Sequence, residues 1–170
     1  MKPPVGIALE IGSLVLVLAS LIFIPPGQFP LYVIVVQFLS TYLLHCPGHY
    51  VVGRILGIEF IDIGFGRSTL ANAFPGRLGK AAGLIPILTL RSDRHSVATK
   101  SGRSRFTMYA SGTIFSIGSA FSLAIGVTLE GNWTAAIIAW IFALGYLGFD
   151  AVFSPRSGDL MRARRALMTP

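Results

Sequence analysis

The chain has 170 residues, 53% of them hydrophobic and only 12% charged, and its mean hydropathy is +0.69. Soluble domains carry about 25% charged residues, so water is not its main solvent. The net charge of +7 is spread as punctuation between long apolar runs, which argues against nucleic acid as a partner and for anionic membrane lipids.

Val5 to Ile24 is an apolar run broken chiefly by Glu10, about twenty residues and long enough to cross a hydrocarbon core of about 30 Å. A signal peptide has a shorter apolar core and a small-residue cleavage site, so this segment is expected to stay attached as the first span. After Pro25-Pro26-Gly27-Gln28, a tight uncharged turn, residues 29–53 form the second span. Ile58 to Phe65 alternates apolar and acidic residues in a β-branched run closed by Gly66-Arg67, which reads as a strand. Gly83 to Leu90 is too short to span and carries Pro86, so it suits a paired strand or a re-entrant segment. Arg91 to Arg105 reads as a polar, basic loop. Residues 106–129, rich in Ser, Gly and Ala, form a third span, and residues 133–153 a fourth, with Trp133 as an interfacial anchor. Ser154-Pro155 is expected to interrupt that span, and residues 159–168 to form a short basic helix on the membrane surface.

The expected fold is therefore an all-α membrane protein, one domain over residues 1–170, with about four transmembrane helices. A small β-hairpin or re-entrant β element lies between spans two and three. All fourteen lysines and arginines fall before span one, between Arg54 and Arg105, or from Arg156 onwards. An even number of spans puts these segments on one side, and the positive-inside rule makes that side, with both termini, cytoplasmic. The only cysteine, Cys46, lies within span two, so no intrachain disulfide forms, and the chain has no internal repeat or low-complexity tract.

His45 and His49 are four residues apart on the second span, so both imidazoles leave one helix face and can hold one zinc ion. Counted from Phe29, they lie roughly 24–30 Å along the helix, in the inner part of the bilayer, where unpartnered polar groups are costly. Spacing alone leaves a second reading open, in which the pair only hydrogen-bonds neighbouring helices. Asp150, at about the same depth on the fourth span, can reach the metal or serve as a packing contact. Glu10, about 8 Å into the first span, can bond a neighbouring helix or act in catalysis. His95 reads as solvated, and Arg156, Arg162, Arg164 and Arg165 as holders of lipid phosphates.

The stretch His45-Cys46-Pro47-Gly48-His49-Tyr50, followed by Ile63-Gly64-Phe65-Gly66, resembles the active-site helix and following strand of the site-2-protease family of intramembrane zinc metalloproteases. In that family the helix reads His-Glu-x-Gly-His and the strand Ile-Gly-Phe-Gly. Less specifically, Leu84-Ile85-Pro86 resembles the strand that enters the family's catalytic chamber. Ala110-Ser111-Gly112-Thr113 stands where members carry an Ala-Gly-Pro turn into the next helix, and Asp150 through Asp159 resembles the motif supplying the third zinc ligand. The match covers roughly residues 35 to 165. It implies zinc held by His45, His49 and Asp159, with Asp150 the alternative to Asp159, and a transmembrane protein as substrate or client.

The resemblance breaks at Cys46, which occupies the position of the family's general-base glutamate. That base takes a proton from the attacking water and passes it to the leaving amine, and a thiol lacks the second oxygen that lets a carboxylate do both. Pro47 removes a backbone bond beside the site and is expected to kink the helix. The expected function is thus a zinc-binding intramembrane protein of peptidase type with hydrolysis impaired by Cys46. The alternatives are a catalytically dead pseudoprotease that binds membrane helices, and a small metal-handling or transport protein in which His45, Cys46 and His49 pass an ion.

Overall fold

The computed structural model describes residues 1–67, 76, 80 and 86–168. They form α1 (Pro3–Phe23), α2 (Tyr32–Ile55), β1 (Phe60–Arg67), β2 (Pro86–Ser92), α3 (Arg94–Ala98), α4 (Gly102–Leu129), α5 (Trp133–Ser157) and α6 (Asp159–Met168). Local chemistry sets most of the boundaries. α1 opens with proline in its first turn and closes just before Pro25-Pro26, since a residue preceding proline disfavours helix. At the end of α2, Gly57 takes φ +71°. The Ile58 N–H then bonds the Gly53 carbonyl at 2.8 Å and the Gly57 N–H bonds that of Arg54 at 3.0 Å, the paired bonds of a Schellman stop. The Asp93, Ser101 and Asn132 side chains each accept a backbone N–H three residues on, capping α3, α4 and α5.

The fold is mostly helical, and three helices, α1, α4 and α5, are long and apolar enough to cross a membrane. The expected second span, α2, is 24 residues long but does not meet that composition. Its inward face carries Gln37, Ser40, Thr41 and His49, all buried, and these dilute its hydropathy. Several apolar residues of α2 point outward, among them Phe38, Val51 and Ile55, while Val33 and Val36 are buried. α2 packs most extensively on α4, which also packs on α5 and α6. Small residues make the α4–α5 contact close: Ala120 and Ala124 meet Ala135, Ala136, Ala139 and Ala143, joined by Val33 of α2. Gln37 of α2 binds the three helices together, its Nε2 donating to the carbonyls of Ala120 at 2.9 Å and Ala139 at 3.1 Å.

The β element is an antiparallel pair with Ile63 opposite Leu90 and Phe65 opposite Leu88. The cross-strand neighbours Asp62 and Arg91 are joined through Arg91 Nε to Asp62 Oδ1 at 2.7 Å and through Arg91 Nη2 to Asp62 Oδ2, and the guanidinium holds the half-buried Asp62 carboxyl below its usual range. The expected second strand is present from Pro86; its residues 83–85, including Leu84 and Ile85 of the family-like stretch, lie outside the described residues. The sheet is tied to both helices above it. The Met1 amino group donates to the Ile63 carbonyl and the Ile63 N–H to the Met1 carbonyl, at 3.2 and 3.1 Å. Leu88 donates its N–H to the Tyr42 hydroxyl at 3.0 Å and accepts from the Cys46 thiol at 3.4 Å.

Three expectations need correction. Residues 91–105 are not one loop: β2 runs into them, Asp93 caps the short α3, and α4 begins at Gly102. Ser154-Pro155 does not interrupt the last long helix, which runs to Ser157. Proline at position 155 removes one backbone donor close to the helix end, where few bonds remain to lose. Ala110-Ser111-Gly112-Thr113 lies inside α4 rather than at a turn before it.

Candidate metal centre

α2 and α6 bring three side chains to one point. His45, His49 and Asp159 each offer a ligand atom, and these atoms lie within 4.8 Å of one another. His45 Nε2 is 2.9 Å and His49 Nε2 3.2 Å from Asp159 Oδ2, and the two rings stand edge to face at 88° with centroids 4.9 Å apart. α2 runs through Pro47 as one helix, keeping the two histidines one turn apart on a shared face. Asp159 is the first residue of α6, and the α5-to-α6 turn that presents it is fastened by Ser154, whose Oγ accepts from Leu160 N–H at 3.2 Å.

The outer nitrogens of the rings fix what the inner ones can do. His49 Nδ1 is 2.7 Å from the Met108 carbonyl, which only accepts, so His49 carries its hydrogen on Nδ1. Ser116 Oγ donates its one hydrogen to the Thr41 carbonyl at 2.8 Å, so its lone pair accepts from His45 Nδ1 at 3.2 Å. Both Nε2 atoms therefore face a carboxylate oxygen without a hydrogen required by their other contacts. Three lone-pair donors at this separation need a positive charge among them, either a proton on an imidazole or a metal ion. Burial works to raise the Asp159 carboxyl, and the bonds from His45 and His49 outweigh it, holding the group well below the usual carboxylate range. Arg162, one turn on, adds its charge at 3.6 Å from Asp159 Oδ1.

The donor set of two imidazoles and one carboxylate, with each imidazole oriented from behind, is of a kind that can hold a metal ion with a position left open. The group can hold a metal ion, and its three residues are the ones the sequence singled out. Asp150, the alternative, lies on α5 in the wall of the same cavity as His45 and Asp159 but outside the ligating group. Sequence reasoning missed the supports from α4: Ser116, the Met108 carbonyl, and Gly112, where any Cβ would overlap the His49 ring. A signal existed in the small residues of 110–113, which let α4 lie against α2, but their partners are about sixty residues away in sequence.

Two cavities meet at the site. One, of about 800 Å³, lies between α2, β2 and α5; it reaches His45, Cys46 and Asp159, and its rim carries the exposed apolar side chains Phe38, Ile141 and Phe149. The other, of about 720 Å³, reaches His49 and Asp159 past Arg91, Arg94 and Arg162. Cys46 is 3% exposed and lines the first cavity. His95 is exposed on α3, as are Arg156, Arg162, Arg164 and Arg165 at the far end of the chain. Comparison with family models, curated proteins and solved structures finds no match to this chain.

Proposed function

We propose that this chain is a zinc-binding intramembrane protein of the site-2-protease type. In this reading α2 is a fourth span, both termini are cytoplasmic, and the metal group lies in the cytoplasmic half of the bilayer. The burial of polar side chains on the inward face of α2 supports the fourth span, and the placement of every lysine and arginine supports the orientation. The observation that carries the functional reading is the convergence of His45, His49 and Asp159 from two helices. The apolar cavity would admit an unwound segment of a membrane protein, the client class, while the basic one admits water. Zinc, when bound, supplies the Lewis acidity that makes water nucleophilic near neutral pH. Met108 and Ser116 hold the imidazoles in place, and Asp159 balances the charge.

Cys46 stands where a proton acceptor belongs, and its thiol is committed to the Leu88 carbonyl, so the α2 motif by itself supports weak hydrolysis at best. A pseudoprotease that binds membrane helices without cutting them is the second reading, favoured by the same residue. Metal analysis of the purified protein tests the metal site: one zinc per chain is expected, lost in His45→Ala and His49→Ala. A chain that retains no zinc, or retains it in both variants, contradicts the proposal.

A further inference from the structure

His49, Leu90, Asp159 and Arg162 belong to the walls of both cavities, so the two join at the metal group. The first opens beside the exposed apolar side chains Phe38, Ile141 and Phe149. The second lies between the sheet, α3, α4 and α6, where Arg91, Arg94, Tyr109 and Arg162 line it. A client chain laid across the metal from the first cavity therefore continues into the second, and its next side chains meet the groups there. Water alone does not call for such a wall.

Most charges in this wall are already engaged. Arg91 is held by Asp62 across the strands, Asp93 accepts from the Ser96 N–H at 2.8 Å and caps α3, and Arg162 is 3.6 Å from Asp159. Arg94 is exposed and its side chain has no partner among the described residues; the hydroxyl of the half-buried Tyr109 has none either. The three guanidiniums are matched by Asp62, Asp93 and Asp159, so the wall by itself is close to neutral. Once Asp159 serves as a metal ligand, Arg162 loses its counterion and the double charge of the ion adds to it, leaving positive charge in excess beside the basic cavity.

We infer, on the metal-site reading above, that the basic cavity is a subsite for an acidic side chain of the client, adjoining the apolar stretch lodged in the first cavity and close to the bond held at the metal. Arg162, beside a ligand side chain, and Arg94, the first residue of α3, donate to the client carboxylate, with the Tyr109 hydroxyl as a further donor. Selection works by repulsion as well. Cytoplasmic flanks of membrane proteins are rich in lysine and arginine, and such a flank sets like charge against these guanidiniums and the ion. The subsite thus favours clients with an acidic residue at this place over the commoner basic kind. The shared wall at His49 and Asp159 favours the client over a lipid headgroup, since whatever fills the basic cavity touches the metal group and competes with the chain presented to it.

The test uses the zinc-loaded full chain in phosphatidylcholine nanodiscs and small hydroxamates that chelate the metal: acetohydroxamic acid, succinic monohydroxamic acid, and the primary amide of the latter. The acid and its amide match in size, and a short spacer brings the carboxylate within reach of Arg162. The acid should bind about ten- to a hundredfold more tightly than the amide, the gain of hydrogen bonds between charged groups. Arg94→Gln and Arg162→Gln should each cut that ratio about tenfold, and Tyr109→Phe should cut it by less. Equal affinity for acid and amide overturns the inference, as does a ratio unchanged in both arginine variants, while bound zinc and acetohydroxamic acid still report an intact metal site. A preference seen in phosphatidylcholine but abolished in phosphatidylglycerol nanodiscs assigns the cavity to a lipid phosphate and overturns the inference as well. A native chain that binds neither zinc nor any of the hydroxamates overturns the metal-site reading itself.

Discussion

α2 and α5 both pack against α4, yet they present opposite faces to it. α5 offers Ala135, Ala136, Ala139 and Ala143 and turns Ile137, Ile141 and Leu144 outward, the pattern of a helix that packs by close approach and meets lipid elsewhere. α2 buries Gln37, Ser40, Thr41 and His49; Gln37 bonds carbonyls of α4 and α5, and His49 joins the candidate metal group. The helix with the polar buried face is the one that brings two side chains to the candidate metal group. Hydropathy alone selects α5 and passes over α2.

The sharpest break of that comparison exchanges polar groups at one depth. His49→Ala on α2 should remove zinc altogether, whereas Asp150→Asn on α5 should leave the zinc content of the purified chain unchanged; loss in both would mean that α5 supplies a ligand. Ser116→Ala, which removes the group orienting His45 from α4, should weaken zinc about ten- to a hundredfold in competition with a chelator. Unchanged affinity there would mean that the ring is held by packing alone. The smallest effect is on the α5 side. Ala139→Leu should cost about 1–3 kcal/mol of folding stability by overpacking, read in reversible unfolding in detergent, with zinc affinity retained by the folded fraction.

What could be read from the sequence follows the same division. α1 and α5 announce themselves through long apolar runs, and β1 through its alternation, because both signals are local. The histidine pair is legible for the same reason: one helical turn is a fixed geometry. The choice between Asp150 and Asp159 was not legible, because it depends on where α5 ends. Proline suggested an early stop at 154, and the helix instead continues to Ser157, so that Asp159 opens α6 at the metal group. Ser116 and the Met108 carbonyl were out of reach because the register of α4 on α2 is a tertiary fact. Glu10 was visible as an acid inside an apolar run, but its burial depends on how α1 packs, which the contacts of Met1 and Ile7 with Ile63 set.

The most direct test of the central claim is the zinc X-ray absorption spectrum of the purified, zinc-loaded chain. The account predicts nitrogen and oxygen neighbours at about 2.0–2.1 Å with the outer-shell scattering of two imidazoles, and no sulfur. A sulfur neighbour at about 2.3 Å would make Cys46 a ligand and contradict the assignment of His45, His49 and Asp159, as would the scattering of fewer than two imidazoles.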